Sequence, residues 1–293
     1  MTIVSSRKVG VTILPVAVDA IASRWGTTVE NHEVLVDHRS RAVMRSVDPQ
    51  GRPVVIKADL DTERLRREAK ALAAAGQAGV PVPAVLEHVD ASPAILVLAY
   101  VEGQPLNTSN RSQHWWEVGR QLRRLHDDAS PHGLPMFGGG QTWWATLRSL
   151  ADWSRNWCRE RRVLDPAVLD RLAALMEAAF ARDDEPAGCF LHGDCGPYHW
   201  LLRDGAVAAV VDFGDASRGD PAWDLAVLTL WDGDRLPVIL DGYGADRVMR
   251  DHVKSLLMPY TVIRHLLAIS WLVEHDFDPS PTITELHRLV VPL

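Results

Sequence analysis

The stretch FLHGDCGPYHWLLRDGAVAAVVDFG, from Phe190 to Gly214, constrains this chain more than any other. Its apolar run Trp200 to Leu202, the dipeptide Asp204-Gly205 and the apolar run Ala206 to Val211 spell a β-hairpin, because Asp-Gly readily supplies the positive φ values of a tight turn. Folding the chain about that turn returns Asp212 to the residues that precede Trp200. Asp194, His199 and Asp212 are therefore expected in one small volume, where carboxylate and imidazole groups outline a place for a metal ion and phosphate.

At 293 residues and 47% hydrophobic composition, the chain can bury a substantial core in one large or two modest domains. A formal charge of -7 argues against a general nucleic-acid binder, which needs clustered Lys and Arg without matching acid, and it permits a cationic ligand. Cys158, Cys189 and Cys195 are odd in number and lack a close pair, so reduced thiols are expected rather than a disulfide framework or zinc knuckle. The apolar patch Val9 to Ile21 is interrupted by Pro15 and Asp19, and no small-residue cleavage pattern follows it. No segment reaches the roughly 20 uninterrupted apolar residues of a membrane span. The expectation is a cytoplasmic protein without a membrane or nucleic-acid partner, monomer or dimer.

Between Val34 and Tyr100 the pattern favours strands with one inserted helix. Ala42 to Val47 and Val54 to Ala58 flank the turn Asp48-Pro49-Gln50-Gly51 and predict a hairpin. Lys57 ends the run VVIK on the same face as Val55; taken alone, it reads as an ordinary solvated lysine on an edge strand rather than a functional one. Thr62 to Ala75 reads as a helix with the apolar stripe Leu65, Ala69 and Leu72. Glu68 falls inside that stripe and either pairs with Lys57 or snorkels to solvent. VPVP at Val80 to Pro83 breaks the helix, and Ala94 onward reads as a buried strand running into the polar linker Glu102 to Pro105.

Beyond the linker, helical spacing predicts helices over Trp115 to His126, Trp143 to Arg162, Pro166 to Arg182 and Val253 to His275. The paired tryptophans Trp115-Trp116 and Trp143-Trp144 fit a core or flat walls for a ligand. Gly138 to Gly140 reads as a flexible loop. The chain thus divides into a strand-rich N-terminal lobe, 1–101, and a mainly helical C-terminal lobe, 102–293, that carries the central hairpin, with a ligand cleft expected between lobes.

Phosphoryl transfer needs a group that orients the attacking hydroxyl, hard cations on carboxylate ligands and a Lys on the phosphates. VVIK, a helical Glu in an apolar stripe, a linker, HGD, a hairpin, Asp212-Phe213-Gly214 and then GDPAWDLA follow one another in that order. In this the chain, from about Val34 to Ala226, resembles the aminoglycoside phosphotransferase family, small-molecule antibiotic kinases with the protein-kinase fold. The resemblance implies an α+β, two-lobed protein-kinase-like fold and a dependence on ATP or GTP with Mg. It implies that Lys57 holds the α- and β-phosphates and pairs with Glu68, and that backbone groups from Ala99 to Val101 bind the adenine. It further implies Asp194 as the catalytic Asp with His192 bracing its loop, Asp212 as a metal ligand, His199 at the second metal position, and Asp220 and Asp224 as props of the catalytic loop.

The chain departs from the family pattern twice. His199 stands where an Asn is usual, as in the macrolide-kinase branch, and the loop Asp37-His38-Arg39-Ser40-Arg41 has no glycine, leaving Ser40 as the expected phosphate contact. The implied function is transfer of a γ-phosphate to a hydroxyl of a small-molecule antibiotic, with aminoglycosides leading. Macrolide or other antibiotic kinases, metabolite kinases of the same fold and a pseudokinase binding module are the alternatives. The acids Asp215, Asp232, Asp234, Glu274, Asp276 and Asp278 either line a pocket for a polycation or form solvated faces.

Overall fold

The computed structural model describes residues 13–290 apart from 30, 31, 39, 141, 183 and 231; Arg39 and the beginning of the Val9 to Ile21 patch lie outside the described residues. In chain order the first elements are α1 (Leu14–Trp25), β1 (Glu33–His38), β2 (Arg41–Val47), β3 (Pro53–Asp59), α2 (Thr62–Gln77), β4 (Val85–Val89), β5 (Ala94–Ala99) and β6 (Gln104–Pro105). Helices α3 (Ser112–Asp128), α4 (Trp143–Glu160) and α5 (Pro166–Phe180) follow. Next come β7 (Cys189–Leu191), β8 (Trp200–Arg203), β9 (Ala206–Val210) and β10 (Ser217–Gly219). Last are α6 (Pro221–Leu228), α7 (Leu236–Tyr243), α8 (Arg247–Glu274) and α9 (Ser280–Val290). By contact, the described residues up to 130 and those from 197 to 216 form one compact unit, and those from 131 to 196 and from 217 to 290 form the other, so the central hairpin groups with the strand-rich part of the chain.

The first unit is built on an antiparallel sheet in the order β1-β2-β3-β5-β4. Side chains of a strand alternate between faces. Ala42, Met44, Val54, Ile56, Ala58, Ile95 and Val97 pack with Ala17 and Ile21 of α1, which leaves Lys57 on the opposite face. Pro15, which looks like an interruption in the sequence, sits in the first turn of α1, where its missing N–H has no helical partner to lose. Helix α2 begins at Asp61, whose carboxylate accepts from Arg64 N (3.2 Å), and buries Leu65, Glu68, Leu72 and Ala75 along one stripe.

Strands β8 and β9 form the expected hairpin, with Trp200 opposite Val210 and Arg203 opposite Ala206. Asp204 and Gly205 take φ of 53° and 82°, the two positive values that a two-residue turn with the twist of the strands requires.

The second unit packs α4, α5, α6, α8 and α9 together beside a two-stranded β7–β10 ribbon. Trp143, Trp144, Phe180, Trp223 and Tyr260 fill its core, and Trp143 Nε1 donates to Tyr260 Oη at 2.8 Å. The Trp143-Trp144 pair is therefore core rather than a ligand wall, and in the first unit Trp115 is buried as well. A Cβ at Gly219 would lie 2.0 Å from the Trp143 ring, so only glycine fits there. Gly138 and Gly140 of the triple-glycine stretch are also close to α4, a Cβ on Gly138 meeting Thr146 at 2.8 Å and Leu150 at 2.9 Å, whereas a Cβ on Gly139 would meet nothing within 4 Å. Helix α8 is long and apolar enough to cross a membrane by length and composition; half of its most apolar window is buried within the protein.

Candidate active site

Strand β3 lies between β2 and β5, so Lys57 is central in the sheet and only 6% exposed, not a solvated edge residue. Its Nζ donates to Glu68 Oε1 at 2.5 Å and to Asp212 Oδ1 at 2.8 Å. Glu68 is fully buried and does not snorkel. Burial works against the charge on Lys57, but Asp212 and then Glu68 reverse this and raise its pKa. Burial pushes the Glu68 carboxyl up in spite of Lys57. Asp212 is held well below the usual carboxylate range although burial opposes it, because Lys57, His199 and Arg41 all present positive charge to it.

Asp212 adopts φ 65°, ψ 62°, a left-handed conformation that costs a non-glycine residue energy and persists where surrounding contacts fix it. Those contacts are visible on both sides. Val211 N donates to the His199 carbonyl at 3.0 Å, Phe213 is fully buried, and Arg67 of α2 donates through Nε (3.1 Å) and Nη2 (2.9 Å) to the Gly214 carbonyl. His199 Nε2 lies 3.6 Å from Asp212 Oδ2, close enough for charge but beyond a hydrogen bond. Lys57, Glu68, His199 and Asp212 thus come together in the first unit.

Ser40 is exposed in the turn before β2, and its carbonyl accepts from Leu60 N at 2.9 Å. At the end of β5 the N–H groups of Ala99 and Tyr100 are committed to the carbonyls of Ala84 (2.9 Å) and Pro53 (3.1 Å), whereas Val101 lies beyond the ladder.

In the second unit, His192, Gly193 and Asp194 follow β7. Asp224 of α6 accepts from His192 N at 2.7 Å and Gly193 N at 3.0 Å, and Trp223 Nε1 donates to the Gly193 carbonyl at 3.0 Å. His192 is fully buried, and Asp194 is ion-paired with Arg264 of α8. Asp220, also fully buried, caps α6 by accepting from Ala222 N (2.9 Å) and accepts from Tyr260 Oη (2.8 Å), with His252 Nε2 at 2.9 Å from its Oδ2. The hydrogen bond to Asp220 raises the His252 pKa. Asp224 is therefore a scaffold for the HGD loop, whereas the bonds of Asp220 tie the start of α6 to α8.

Most of the acids suggested for a polycation pocket have local partners. Asp215 pairs with Arg64 (3.2 Å), Asp232 with Arg235 (2.9 Å), Glu274 accepts from Trp157 Nε1 (2.9 Å) and Asp278 from Ser280 N (2.9 Å). Sequence reasoning missed Arg41, Arg264 and His252. Arg41 carried a signal, since hairpin register sets it opposite Asp59, whereas nothing in the spacing links Arg264 to Asp194.

For a divalent cation the donors on offer in the first unit are the Asp212 carboxylate and the His199 imidazole. No group of three or more His, Cys, Asp or Glu suited to holding a metal occurs among the described residues. That set fits Mg, which binds through one or two carboxylates and takes its remaining oxygens from phosphates and water; an imidazole is the softer donor.

The profile of the phosphotransferase enzyme family, APH, matches residues 27–254, most of the chain. The KEOPS complex subunit Bud32 of Pyrococcus abyssi is 33% identical over 112 residues, 36% of this chain and 50% of that protein, so the chain spans about half the length of this curated relative. Among solved structures, a thermostable mutant of aminoglycoside phosphotransferase APH(4)-Ia in ternary complex with ADP and hygromycin B superposes with a TM-score of 0.74 at 16% identity, over 93% of this chain and 97% of that one. The GDP and kanamycin complex of APH(2")-IIia gives 0.71 at 15% identity over 94% and 97%. Macrolide 2'-phosphotransferase MphH from Brachybacterium faecium gives 0.63 at 18% identity over 96% and 98%. At such identities the likeness concerns fold, and the fold is the kinase-like one, with a strand-rich first part and a mostly helical second. With the family profile spanning most of its length, the chain belongs to the phosphotransferase enzyme family.

Proposed function

We propose that this protein is a nucleotide-dependent O-phosphotransferase that transfers the γ-phosphate of ATP or GTP to a hydroxyl of a small-molecule antibiotic. The observation that carries the reading is Lys57, buried at 6% exposure and bonded to both Glu68 and Asp212. A lysine so held is a fixed positive charge of the kind that grips phosphate oxygens, and Glu68 sets its position. Asp212, kept ionised, is the residue that would hold Mg, with His199 beside it; when bound, Mg supplies neutralisation of the β- and γ-phosphate charge. Ser40 contributes at the phosphate end. Adenine recognition falls to the carbonyls of the Ala99 to Val101 stretch and to Val101 N–H, since the Ala99 and Tyr100 N–H groups are already used.

Asp194 orients the acceptor hydroxyl and takes its proton as the new O–P bond forms and the bond to the nucleoside diphosphate breaks. Its pairing with Arg264 makes it an orienter first and a base second, so positioning and electrostatics supply most of the acceleration. His192 and Asp224 hold the loop that carries it.

Aminoglycosides are the leading acceptor class, supported by neighbours in complex with hygromycin B and kanamycin. The local pairing of Asp215, Asp232, Glu274 and Asp278 favours a second reading, a less cationic acceptor such as a macrolide. A coupled assay of ADP and GDP release with Mg and a panel of aminoglycosides, macrolides, cyclic peptides and small metabolites tests both. Release that depends on one antibiotic class supports the reading and names the class. Nucleotide binding with no transfer to any acceptor would leave a binding module instead.

A further inference from the structure

We propose that Arg41 reads the polyphosphate of the bound nucleotide, in place of the glycine-rich cradle that the turn before it lacks. The inference rests on the phosphotransferase reading above. Arg41 opens β2 directly opposite Asp59, and Val43, two residues on, faces Lys57. Alternation along the strand therefore sets Arg41 and Lys57 as diagonal neighbours on one face of the sheet, the face that carries Glu68 and Asp212 against it.

The guanidinium is placed but not satisfied. Its Nε and Nη2 are buried and make no hydrogen bond. The nearest carboxylate oxygens are Asp59 Oδ2, 3.6 Å from Nε, and Asp212 Oδ1, 3.7 Å from Nη2, which is attraction without a bond. Buried donors of a charged group are costly to leave unmade and are nearly always paired in native proteins. A structural bridge to Asp59, directly opposite in register, would close to bonding distance; instead the fork stands off both acids. Its planar pair of N–H groups matches two phosphate oxygens, a geometry that an ammonium cannot offer.

A second guanidinium reinforces the corner. A Cβ on Gly214 would lie 3.2 Å from Arg41 Nη2 and 3.0 Å from Arg64 Nε, so both cations converge on the side where this residue has no side chain. Arg64 Nε is likewise buried without a hydrogen bond, while its Nη2 is held by Asp215. Two guanidiniums brought this close repel, and a multiply charged anion lying between them and Lys57 relieves the repulsion.

The test compares binding of ATP, ADP, tripolyphosphate and adenosine to the wild-type chain, Arg41→Met and Arg41→Lys by calorimetry. The expected result is that Arg41→Met weakens ATP and tripolyphosphate by about 10- to 100-fold and leaves adenosine nearly unchanged, as loss of charge-assisted bonds would. Arg41→Lys, which keeps the charge and the attraction to Asp59 and Asp212, should recover little of that loss; if Arg41→Met fails to fold, the ATP to adenosine ratio of Arg41→Lys decides the matter. Equal ATP binding in the variants and wild type, or an equal loss for ATP and adenosine, overturns the assignment of Arg41 alone. Absence of any nucleotide binding by the wild-type chain overturns the phosphotransferase reading and this inference with it.

Discussion

Glu68→Ala is the sharpest probe of the buried triad. The substitution removes a fully buried carboxylate from a lysine that is itself 6% exposed. Removing one partner of a buried pair costs ~3–5 kcal/mol, because a charge is left uncompensated in a poorly solvated place. Here Asp212 remains 2.8 Å from Lys57 Nζ and still meets part of that charge, so the loss should sit at or just under the lower end, ~2–3 kcal/mol. Glu68→Gln keeps the volume and an acceptor oxygen, and burial already pushes this carboxyl toward its neutral form, so the amide should cost clearly less. Lys57→Met combined with Glu68→Leu removes both charges and should lose less than the two single changes added together. Urea unfolding followed by tryptophan fluorescence measures the wild type, these variants and the two single changes Lys57→Met and Glu68→Leu, and nucleotide titration accompanies it. A Glu68→Ala protein within ~0.5 kcal/mol of wild type would refute the reasoning, since surface substitutions lie in that range. Additivity in the double variant would show that the two side chains do not act as a pair.

Asp194→Asn should abolish acceptor-dependent ADP release while ATP affinity stays within a few-fold of wild type; turnover near the wild-type rate would remove Asp194 from the chemistry. Gly219→Ala forces a methyl into the Trp143 ring and should destabilise the second unit by ~1–3 kcal/mol, read as a lower melting temperature, with an unchanged melt refuting the close packing. The raised pKa of His252 means that its bond to Asp220 contributes fully below the ordinary histidine value of 6.5 and is lost as pH rises through the higher folded value. His252→Gln should therefore lower stability most on the acid side of 6.5 and flatten the decline above it; melting curves over a pH series should converge at alkaline pH, and parallel curves would sink the linkage.

What the sequence made legible was the part governed by local chemistry. Asp204-Gly205 dictated a turn, the turn dictated the register of β8 and β9, and the register delivered Asp212 to His199. Alternation in β3 and the stripe of α2 aimed Lys57 and Glu68 at each other. The helix α1 escaped because Pro15 reads as a breaker unless its position in the first turn is known. Arg264 escaped for a different reason: its partner is set by how α8 packs, which no window of sequence encodes. The acids after Asp212 were misleading because composition counts charges without their partners, and Arg64 and Arg235 had already claimed Asp215 and Asp232.

The two bonds of Lys57 differ in how far along the chain they reach. Glu68 is 11 residues away, Asp212 is 155. A ribosome adding ~5–20 residues per second needs roughly 8–30 s to travel from Lys57 to Asp212. Throughout that interval the nascent sheet and α2 can form, yet the lysine has only the carboxylate that burial tends to neutralise, and Arg67 has no Gly214 carbonyl to hold. The strand-rich unit is thus finished by a segment made long after the rest of it, and a truncated product ending near residue 130 would carry an incomplete charge arrangement.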